Sequence, residues 1–408
     1  MSDFIMEKHS TPIRGHYDVI VCGAGPAGVC AAISAANQGS KVLLIERGGC
    51  LGGIWTGGLL SWILDSADKG GILRRIISTL EERGKGYHAR SNNFIAEPEA
   101  VKLLLEEMCL EAGVEIMLYT LVCGAHVEDG RLKAVICEEK GGRWAAAADA
   151  FVDATGDGDL SYFAGCGYDL GKEGTGETQP MSLIALVDGV DPDAARVFNN
   201  TLPYMENHNA KKSLLSEMRS AGIDPSYDHP SLFHVKDGLW LMMTTHAYGY
   251  DLLDASSLTK ATMLLRREMA EQIEALRSKG GIWANMRMLQ SAPFIGVREG
   301  RRIHGRYRVT ADDVINGARF PDAVCRVNFP IDIHPLKREN TFEQEKGGLK
   351  ARPYDIPLRA LIARDVEGLY LAGRLISGDF WAHSSYRVTG NAAVLGEAAG
   401  KAAALKLG

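Results

Sequence analysis

Short apolar runs and glycine-containing turns alternate near the start of the chain. Residues 18–22 (DVIVC) and 42–45 (VLLI) are apolar runs of the length and composition typical of strands buried on both faces. The letters GAGPAG and then an alanine-rich segment stand between them. The stretch from Tyr17 to Glu46 therefore predicts a strand, a glycine turn, a helix and a second, parallel strand.

Later segments repeat this alternation, with apolar residues at helical spacing separated by short apolar runs. Three strands between residues 121 and 148 are divided by EDG and KGG turns, which predicts a meander. The whole pattern predicts an α/β fold. The predicted helices cover residues 71–83, 97–112, 194–202, 211–221, 258–279 and the end of the chain from about residue 389. The further predicted strands cover residues 114–119, 121–127, 131–138, 143–148, 150–154, 181–187, 231–235, 239–245 and 368–373.

The composition narrows the class of protein. The chain has 408 residues, 46% of them hydrophobic and 24% charged, which is ordinary for a globular protein. A net charge of -6 without a basic stripe argues against nucleic acid as a partner. The eight cysteines form no CxxC pair, so we predict no metal site. No apolar run reaches ~18 residues and no signal-peptide core is present, so we expect a cytoplasmic protein that does not enter a membrane.

The glycine turn has the spacing GxGxxG, and each glycine in it has a physical role. Gly23 permits the tight turn, Gly25 lets a pyrophosphate approach the backbone, and Gly28 lets the helix pack closely on the sheet. The helix N-terminus offers N–H groups to phosphates. Glu46 ends the second strand, where a carboxylate can accept hydrogen bonds from ribose hydroxyls. The motif predicts a site for FAD or NAD rather than NADP.

A second glycine-rich loop, GGCLGGIWTGG at residues 48–58, follows directly after this acid. NAD does not require such a loop. FAD lies extended, and its flavin end must be approached by backbone. The loop therefore favours FAD.

Three motifs together resemble the FAD-dependent oxidoreductases of the glutathione-reductase fold. They are GCLGG at residues 49–53, ATGDGD at 154–159 and SYRVTGNA at 385–392. The resemblance runs from Tyr17 to Leu407. It implies a discontinuous Rossmann-like FAD-binding domain at residues 17–166 and 352–408, an inserted α+β substrate (cap) domain at 167–351, and a polar leader at 1–16. A second GxGxxG is missing and IWTGG follows the loop, so a disulfide reductase is not expected.

The resemblance also implies which residues hold FAD. Arg374 stands where many flavoenzymes of this fold have aspartate, so the partner of the ribityl chain is left open. Cys50 is interpreted as a packing residue, with a redox thiol or a covalent flavin link as alternatives. The predicted cofactor residues are Gly23, Gly25, Pro26, Ala27, Gly28, Glu46, Arg47, Cys50, Leu51, Gly52, Gly53, Thr56, Val122, Ala154, Thr155, Gly156, Asp157, Gly373, Arg374, Gly390, Asn391 and Ala392.

Catalytic candidates cluster before the C-terminal helix and in two arginine- or histidine-bearing segments. His383 and His334 can exchange a proton near neutral pH, and either could instead bond a loop carbonyl. Arg387 can clamp an anion, and Tyr386 lies beside it. Arg302 belongs to an arginine-rich stretch that could stabilise reduced flavin, hold a carboxylate or form structural ion pairs.

Redox chemistry by hydride transfer at flavin N5 is the predicted function. The first hypothesis is oxidation of a C–H bond bearing oxygen or nitrogen in a small polar molecule, with oxygen or a carrier as electron acceptor. Alternatives are a fumarate-reductase-like reduction of an activated C=C bond, a flavin monooxygenase and a non-catalytic, RNA-associated flavoprotein. The sequence leaves the substrate, the acceptor and the oligomeric state open.

Overall fold

The computed structural model describes residues 5–341, 344–345 and 347–407. The α-helices are α1 (Pro26–Ala36), α2 (Gly71–Glu82), α3 (Pro98–Glu111), α4 (Asp159–Phe163), α5 (Tyr204–Asn207), α6 (Ala210–Ser220), α7 (Ala255–Lys279), α8 (Ala311–Asn316), α9 (Phe380–Tyr386) and α10 (Thr389–Ala404). The strands are β1 (Ile13–Cys22), β2 (Val42–Ile45), β3 (Trp62–Ile63), β4 (Gly86–His88), β5 (Phe94–Ala96), β6 (Glu115–Met117), β7 (Leu121–Glu128), β8 (Arg131–Glu139), β9 (Gly142–Asp153), β10 (Tyr168–Asp169), β11 (Ala185–Asp188), β12 (Ser231–Lys236), β13 (Leu239–Met243), β14 (Arg287–Ser291), β15 (Arg302–Ile303), β16 (Ala323–Val327), β17 (Tyr354–Pro357) and β18 (Leu369–Leu371).

The main sheet has the strand order β6-β2-β1-β9-β8-β7, and β18 also pairs with β9. Strands β6, β2, β1, β9 and β18 are parallel, with Cys22 opposite both Ile45 and Asp153. Their carboxyl ends therefore meet at one edge, where the glycine turn, Glu46 and the ATGDGD motif follow. This is the mixed α/β, Rossmann-like sheet that the apolar runs predict.

Helix α10 packs on α1 at very short range because of two glycines one turn apart. A Cβ on Gly396 would lie 2.0 Å from the carbonyl oxygen of Ala27, and one on Gly400 would lie 2.0 Å from that of Ala31. Any side chain at either position would push the helices apart. The pair fixes the N-terminus of α10 relative to the glycine turn, although Thr389 follows Gly28 by 361 positions in sequence.

A second sheet, with the order β12-β13-β11-β14, packs against α7 around buried residues that include Trp240, Met269 and Trp283. A third, small sheet, β3-β5-β4, lies between the second glycine loop and α3 in sequence. Within the described residues, no helix is long and apolar enough to cross a bilayer.

Several predicted elements differ in the structure. Strand β1 begins at Ile13 and pairs with Ala145, so the end of the predicted polar leader belongs to the sheet. Strand β9 (Gly142–Asp153) is continuous where two strands, at residues 143–148 and 150–154, were predicted. Residues 194–202 contain only a 3-10 turn at Arg196–Phe198 instead of a helix. Residues 380–386 form their own helix, α9, separated from α10 at Arg387 and Val388.

Candidate active site

A cavity of about 970 Å³ runs from the carboxyl edge of the main sheet to the second sheet. One end is bounded by the glycine turn, by the residues after β9 and by Gly373. The other end is bounded by Phe233 of β12, Met243 of β13 and the segment 294–298. The first is called the cofactor end and the second the polar end below. The N-terminus of α10 lies along the wall, with Val388, Thr389 and Ala392 on it.

The three glycines of the turn occupy three different environments. Gly23 has φ +92°, and a Cβ there would lie 2.4 Å from the carbonyl oxygen of Ala154. A Cβ on Gly28 would lie 1.7 Å from the carbonyl oxygen of Gly23. Gly25 has no atom within 4 Å of its Cβ position and faces the cavity. Gly23 and Gly28 are therefore required by the protein itself, whereas the open space at Gly25 fits a ligand that approaches the backbone.

Glu46 is held in place on the cavity wall by two backbone amides. Its Oε2 accepts a hydrogen bond from the Ala24 amide at 2.8 Å, and its Oε1 accepts one from the Gly48 amide at 2.7 Å. The carboxylate is buried and lies beside Arg47 on the same wall. Its remaining acceptor capacity suits the ribose hydroxyls of a dinucleotide.

The second glycine loop contributes mainly through Gly53, which has φ +52° and lies against the Cα of Gly25. Gly52, with φ +97°, donates its amide to the Ala24 carbonyl at 2.8 Å. The side chains of Leu51 and Thr56 are buried, and Cys50 Sγ lies 3.8 Å from Thr56 Oγ1. Cys50, Leu51, Gly52 and Thr56 thus shape the loop from behind the described cavity wall.

Asp153, directly before the ATGDGD motif, is a buried carboxylate that was not among the predicted site residues. Asp153 Oδ1 accepts hydrogen bonds from the amide and hydroxyl of Thr155, and its Oδ2 accepts them from the amide and hydroxyl of Ser161. These bonds tie the strand end to α4. Ala154, Thr155, Gly156 and Asp157 line the cavity, as do Pro26, Ala27 and Gly373.

Arg374 takes the place of the aspartate expected after β18. Its Nη2 donates to Asp157 Oδ1 at 2.7 Å, and a Cβ on Gly156 would lie 2.7 Å from its guanidinium. The ion pair holds a cation on the cavity wall at the cofactor end. A cation there suits the pyrophosphate or an anionic flavin.

Besides Gly28 and the four residues of the second glycine loop, three further predicted cofactor residues lie off the described wall. The Gly390 amide donates to the Leu64 carbonyl at 3.0 Å, and a Cβ there would lie 2.4 Å from that oxygen. Asn391 is fully buried beside Cys325. Val122 pairs with Cys137 in the antiparallel part of the main sheet. Gly390 therefore serves the close approach of the segment at Leu64, while Ala392 reaches the cavity.

A histidine and a carboxylate face the polar end together. His334 Nε2 lies 3.5 Å from Asp332 Oδ2, and Arg387 Nη2 donates to the backbone carbonyl of Asp332 at 2.8 Å. Burial lowers the pKa of His334 to about 3, and Arg298 and Arg387 act in the same direction. Burial raises the pKa of Asp332, but the contact with His334 and the charges of Arg387 and Lys211 outweigh that effect and hold it below its usual range. The histidine is thus neutral and the carboxylate ionised at neutral pH.

Arg298 is placed by two acceptors that carry no charge. Its Nη1 donates to the Pro180 carbonyl and its Nη2 lies 3.1 Å from His246 Nε2. Burial lowers the pKa of Arg298 to about 10, with Arg387 as the next cause. The ring of Tyr227 stacks on His246 with centroids 3.9 Å apart. The Arg298 guanidinium therefore lines the cavity, and neither of these two partners is a carboxylate.

The five catalytic candidates separate into two groups. His334 and Arg387 line the cavity. The other three lie behind the described lining. Tyr386 donates its hydroxyl to the Ile376 carbonyl at 2.9 Å, and Arg302 donates to the carbonyls of Gly378 and Gly171. His383 is fully buried with its ring edge-on to Tyr386, and burial lowers its pKa well below the ordinary value. These three brace the segment that leads to α10.

Four residues of the polar end were not among the predicted site residues: Asp332, Arg298, Lys211 and Gln179. Gln179 Oε1 accepts the His334 amide at 3.0 Å and lies 3.3 Å from Arg387 Nη2. The sequence signals were weak, because only IDIH at residues 331–334 and the arginine-rich stretch after Pro293 marked this end. Among the described residues, no cluster of three or more metal-ligating side chains is present.

A Rossmann-like sheet whose glycine turn and carboxylate face a cavity of this size defines a dinucleotide-binding oxidoreductase. The sequence model of the FAD dependent oxidoreductase family matches residues 18–408, and the chain belongs to that family. FAD is therefore its cofactor, and the open space at Gly25, the Glu46 carboxylate and the helix end at Thr389 fit it.

Curated relatives match only part of the chain. A digeranylgeranylglycerophospholipid reductase of Methanocella arvoryzae is 32% identical over 161 residues, covering 35% of this chain and 40% of its own length. A thiamine thiazole synthase of Aeropyrum pernix is 30% identical over 140 residues, covering 33% of this chain and 50% of its own. The chain thus spans half or less of these relatives.

Two solved structures align over most of the chain. A geranylgeranyl bacteriochlorophyll reductase-like protein from Thermoplasma acidophilum is 13% identical, covers 96% of this chain and 77% of its own, and has a TM-score of 0.47. An L-proline dehydrogenase from P. horikoshii is 13% identical, covers 96% and 94%, and has a TM-score of 0.45.

Proposed function

We propose that this FAD-dependent enzyme oxidises a C–H bond bearing oxygen or nitrogen in a small carboxylate, with hydride transfer to the flavin. The observation that carries the proposal is the polar end. A neutral histidine next to a carboxylate faces the same cavity as two arginines and the N-terminus of α10. Bound FAD supplies the hydride acceptor, and the chain supplies orientation and proton transfer.

His334 is the proposed proton acceptor. It would take the proton from the substrate O–H or N–H as the adjacent C–H loses hydride, which leaves a carbonyl or imine. Its lowered pKa leaves the ring unprotonated at neutral pH, and the same burial makes it a weaker base than an exposed histidine. Asp332 orients the ring and would stabilise it once protonated.

Arg298 and Arg387 are the proposed clamp for the substrate carboxylate. Both line the cavity, and an arginine can bind a carboxylate through two parallel hydrogen bonds. The clamp would hold the reacting carbon at the N-terminal end of α10, where the helix dipole favours negative charge.

We also propose that residues 167–351 act as the cap domain of the glutathione-reductase type. The cytoplasmic location and the electron acceptor stay predictions.

Anaerobic mixing of the holoenzyme with 2-hydroxy and 2-amino carboxylates tests the proposal. A substrate should bleach the oxidised flavin absorbance, and His334→Gln should slow that bleaching by about 10²- to 10⁴-fold. His126→Gln, on the exposed face of β7, is the matched control and should bleach at the normal rate. Equal rates in wild type and His334→Gln would remove His334 from the chemistry.

Reduction of an activated C=C bond is the second candidate, favoured by one observation. Burial lowers the pKa of Arg298 to about 10, which makes its guanidinium a better proton donor than an exposed arginine. In that case, chemically reduced holoenzyme would be reoxidised by α,β-unsaturated carboxylates. The saturated compounds would then leave the oxidised flavin unbleached.

A further inference from the structure

We propose that the polar end binds a substrate with two separate anionic groups, one held by Arg298 and Arg387 and the other by Lys211. The inference rests on the proposed function for the site but concerns the class of its substrate. A dicarboxylate is the simplest compound with this chemistry.

The first step is the position of Lys211. It is the second residue of α6, and its side chain lines the cavity on the wall that also carries Arg90 and Asn200. Within the part of the chain that the structure describes, Lys211 makes no hydrogen bond or ion pair. A half-buried ammonium group without a partner on a cavity wall points to a ligand that supplies the negative charge.

The second step is the charge of the polar end. Among the described lining residues, Lys211, Arg298 and Arg387 face this region against the Asp332 carboxylate. The other lining acids lie elsewhere or are neutralised. Asp65 lies 3.5 Å from Lys69, and Asp68 is exposed. Because Arg387 already lies 3.7 Å from Asp332, a single substrate carboxylate would leave positive charge uncompensated.

The third step is that these cations form two groups. Arg387 is the charge that acts most strongly on Arg298. Arg298 donates a hydrogen bond to the Pro180 carbonyl, and Arg387 donates one to the Asp332 carbonyl. Asp332 is the charge that acts most strongly on Lys211, followed by Arg90, which stacks over Trp62 with 5.8 Å to the ring centroid. One anion near Arg298 and Arg387 and a second near Lys211 would match this division.

Binding to the oxidised holoenzyme tests the inference without turnover. Flavin absorbance difference spectra should be titrated with malonate, succinate and glutarate, with the monocarboxylates acetate and propionate, and with inorganic phosphate. We expect the best dicarboxylate to bind about 10- to 100-fold more tightly than the monocarboxylates, the range for one added hydrogen bond to a charged group.

Two lysine variants locate the effect. Lys211→Met should abolish the preference for dicarboxylates while monocarboxylates bind as before. Lys212→Met, which removes the same charge from the adjacent exposed position, should keep the preference. Loss of the preference in both variants would mean that only overall charge matters, and the inference would be overturned.

The outcomes also separate this inference from the proposed function. Equal affinities for mono- and dicarboxylates in wild type would overturn the second anion site and leave oxidation of a monocarboxylate intact. Phosphate binding as tight as that of the best dicarboxylate would also overturn it, because one compact anion would then suffice. A Lys211-dependent preference without any flavin bleaching by 2-hydroxy or 2-amino carboxylates would support the second anion site and reject the proposed oxidation.

Discussion

The two ends of the cavity are built in different ways. The cofactor end is formed largely by backbone, with glycines whose missing side chains create a turn, a close helix contact or an open approach. The polar end is formed by side chains from α6, the segment after β14, the segment at Asp332 and the start of α10. The glycine motifs of the cofactor end can be recognised from residues that are neighbours in sequence, whereas the polar end can be recognised only once distant segments have met. Glycine substitutions should therefore break the fold or the cofactor site, and side-chain substitutions should change the chemistry.

The largest effect on stability and on FAD binding is expected at the contact between α1 and α10, because this contact positions the helix whose N-terminus lies along the cavity wall. In Gly396→Leu the new side chain would collide with the Ala27 backbone, because a Cβ alone would lie 2.0 Å from its carbonyl oxygen. We expect a loss of about 3 kcal/mol or more in the free energy of unfolding, the upper range for overpacking, together with loss of FAD. Thermal unfolding followed by circular dichroism, with FAD content measured in parallel, provides the test.

Lys401→Leu is the control for this substitution, since it places the same side chain on the exposed face of the same helix. Its unfolding free energy should stay within about 0.5 kcal/mol of wild type. A Gly396→Leu protein with normal stability would show that the close helix contact does not position α10.

Smaller effects, which separate FAD binding from stability, are expected from two single substitutions by alanine in the glycine turn. Gly25→Ala should leave the stability of the apoprotein unchanged or slightly higher, because its Cβ meets nothing within 4 Å and its φ of -68° suits alanine. FAD should bind about 10- to 100-fold more weakly, since a methyl group would block a charge-assisted bond to the backbone. Isothermal titration of the apoprotein with FAD measures this change.

Gly28→Ala is the contrasting variant, because its Cβ would lie 1.7 Å from the Gly23 carbonyl oxygen. Its main effect should be a lower unfolding temperature, with a smaller effect on the affinity for FAD. If both variants lost stability alike, the open space at Gly25 would have a structural rather than a ligand-binding purpose.

The same contrast explains what the sequence could predict. The strand, turn and helix at residues 17–46 follow from a local pattern, and the structure confirms the three elements. Family membership and the FAD cofactor are also confirmed. Residues 194–202 were predicted as a helix, but the structure has a single 3-10 turn there, with Ala195 and Phe198 packed in the core of the second sheet. Local propensity cannot report such a tertiary effect.

The polar end was harder to predict for the same reason. His383 and Tyr386 were attractive because they precede α10, but the separate helix α9 turns them into the protein interior. Asp332, Arg298 and Lys211 lie far apart in sequence, and only the weak signals of IDIH and of the arginine-rich stretch mark the first two. Only the folded chain brings them to one wall. The roles assigned to them remain predictions that the variants above address.

The smallest predicted effect is a pH dependence that should appear at the polar end alone. Burial lowers the pKa of Lys211 to about 8, with Arg90 acting in the same direction and Asp332 against it. A second anionic group needs the protonated lysine, so dicarboxylate binding should be full below about pH 8 and weaken by up to about tenfold per pH unit above it. His334, with a pKa of about 3, should add no inflection near pH 6.5.

The dissociation constant of a fully ionised dicarboxylate, measured on the holoenzyme between about pH 7 and pH 9, tests this pH dependence. Lys211→Met should remove the pH dependence, and FAD content should stay constant in both proteins. An undiminished affinity at pH 9 would show that Lys211 does not contact the second anionic group in its charged form.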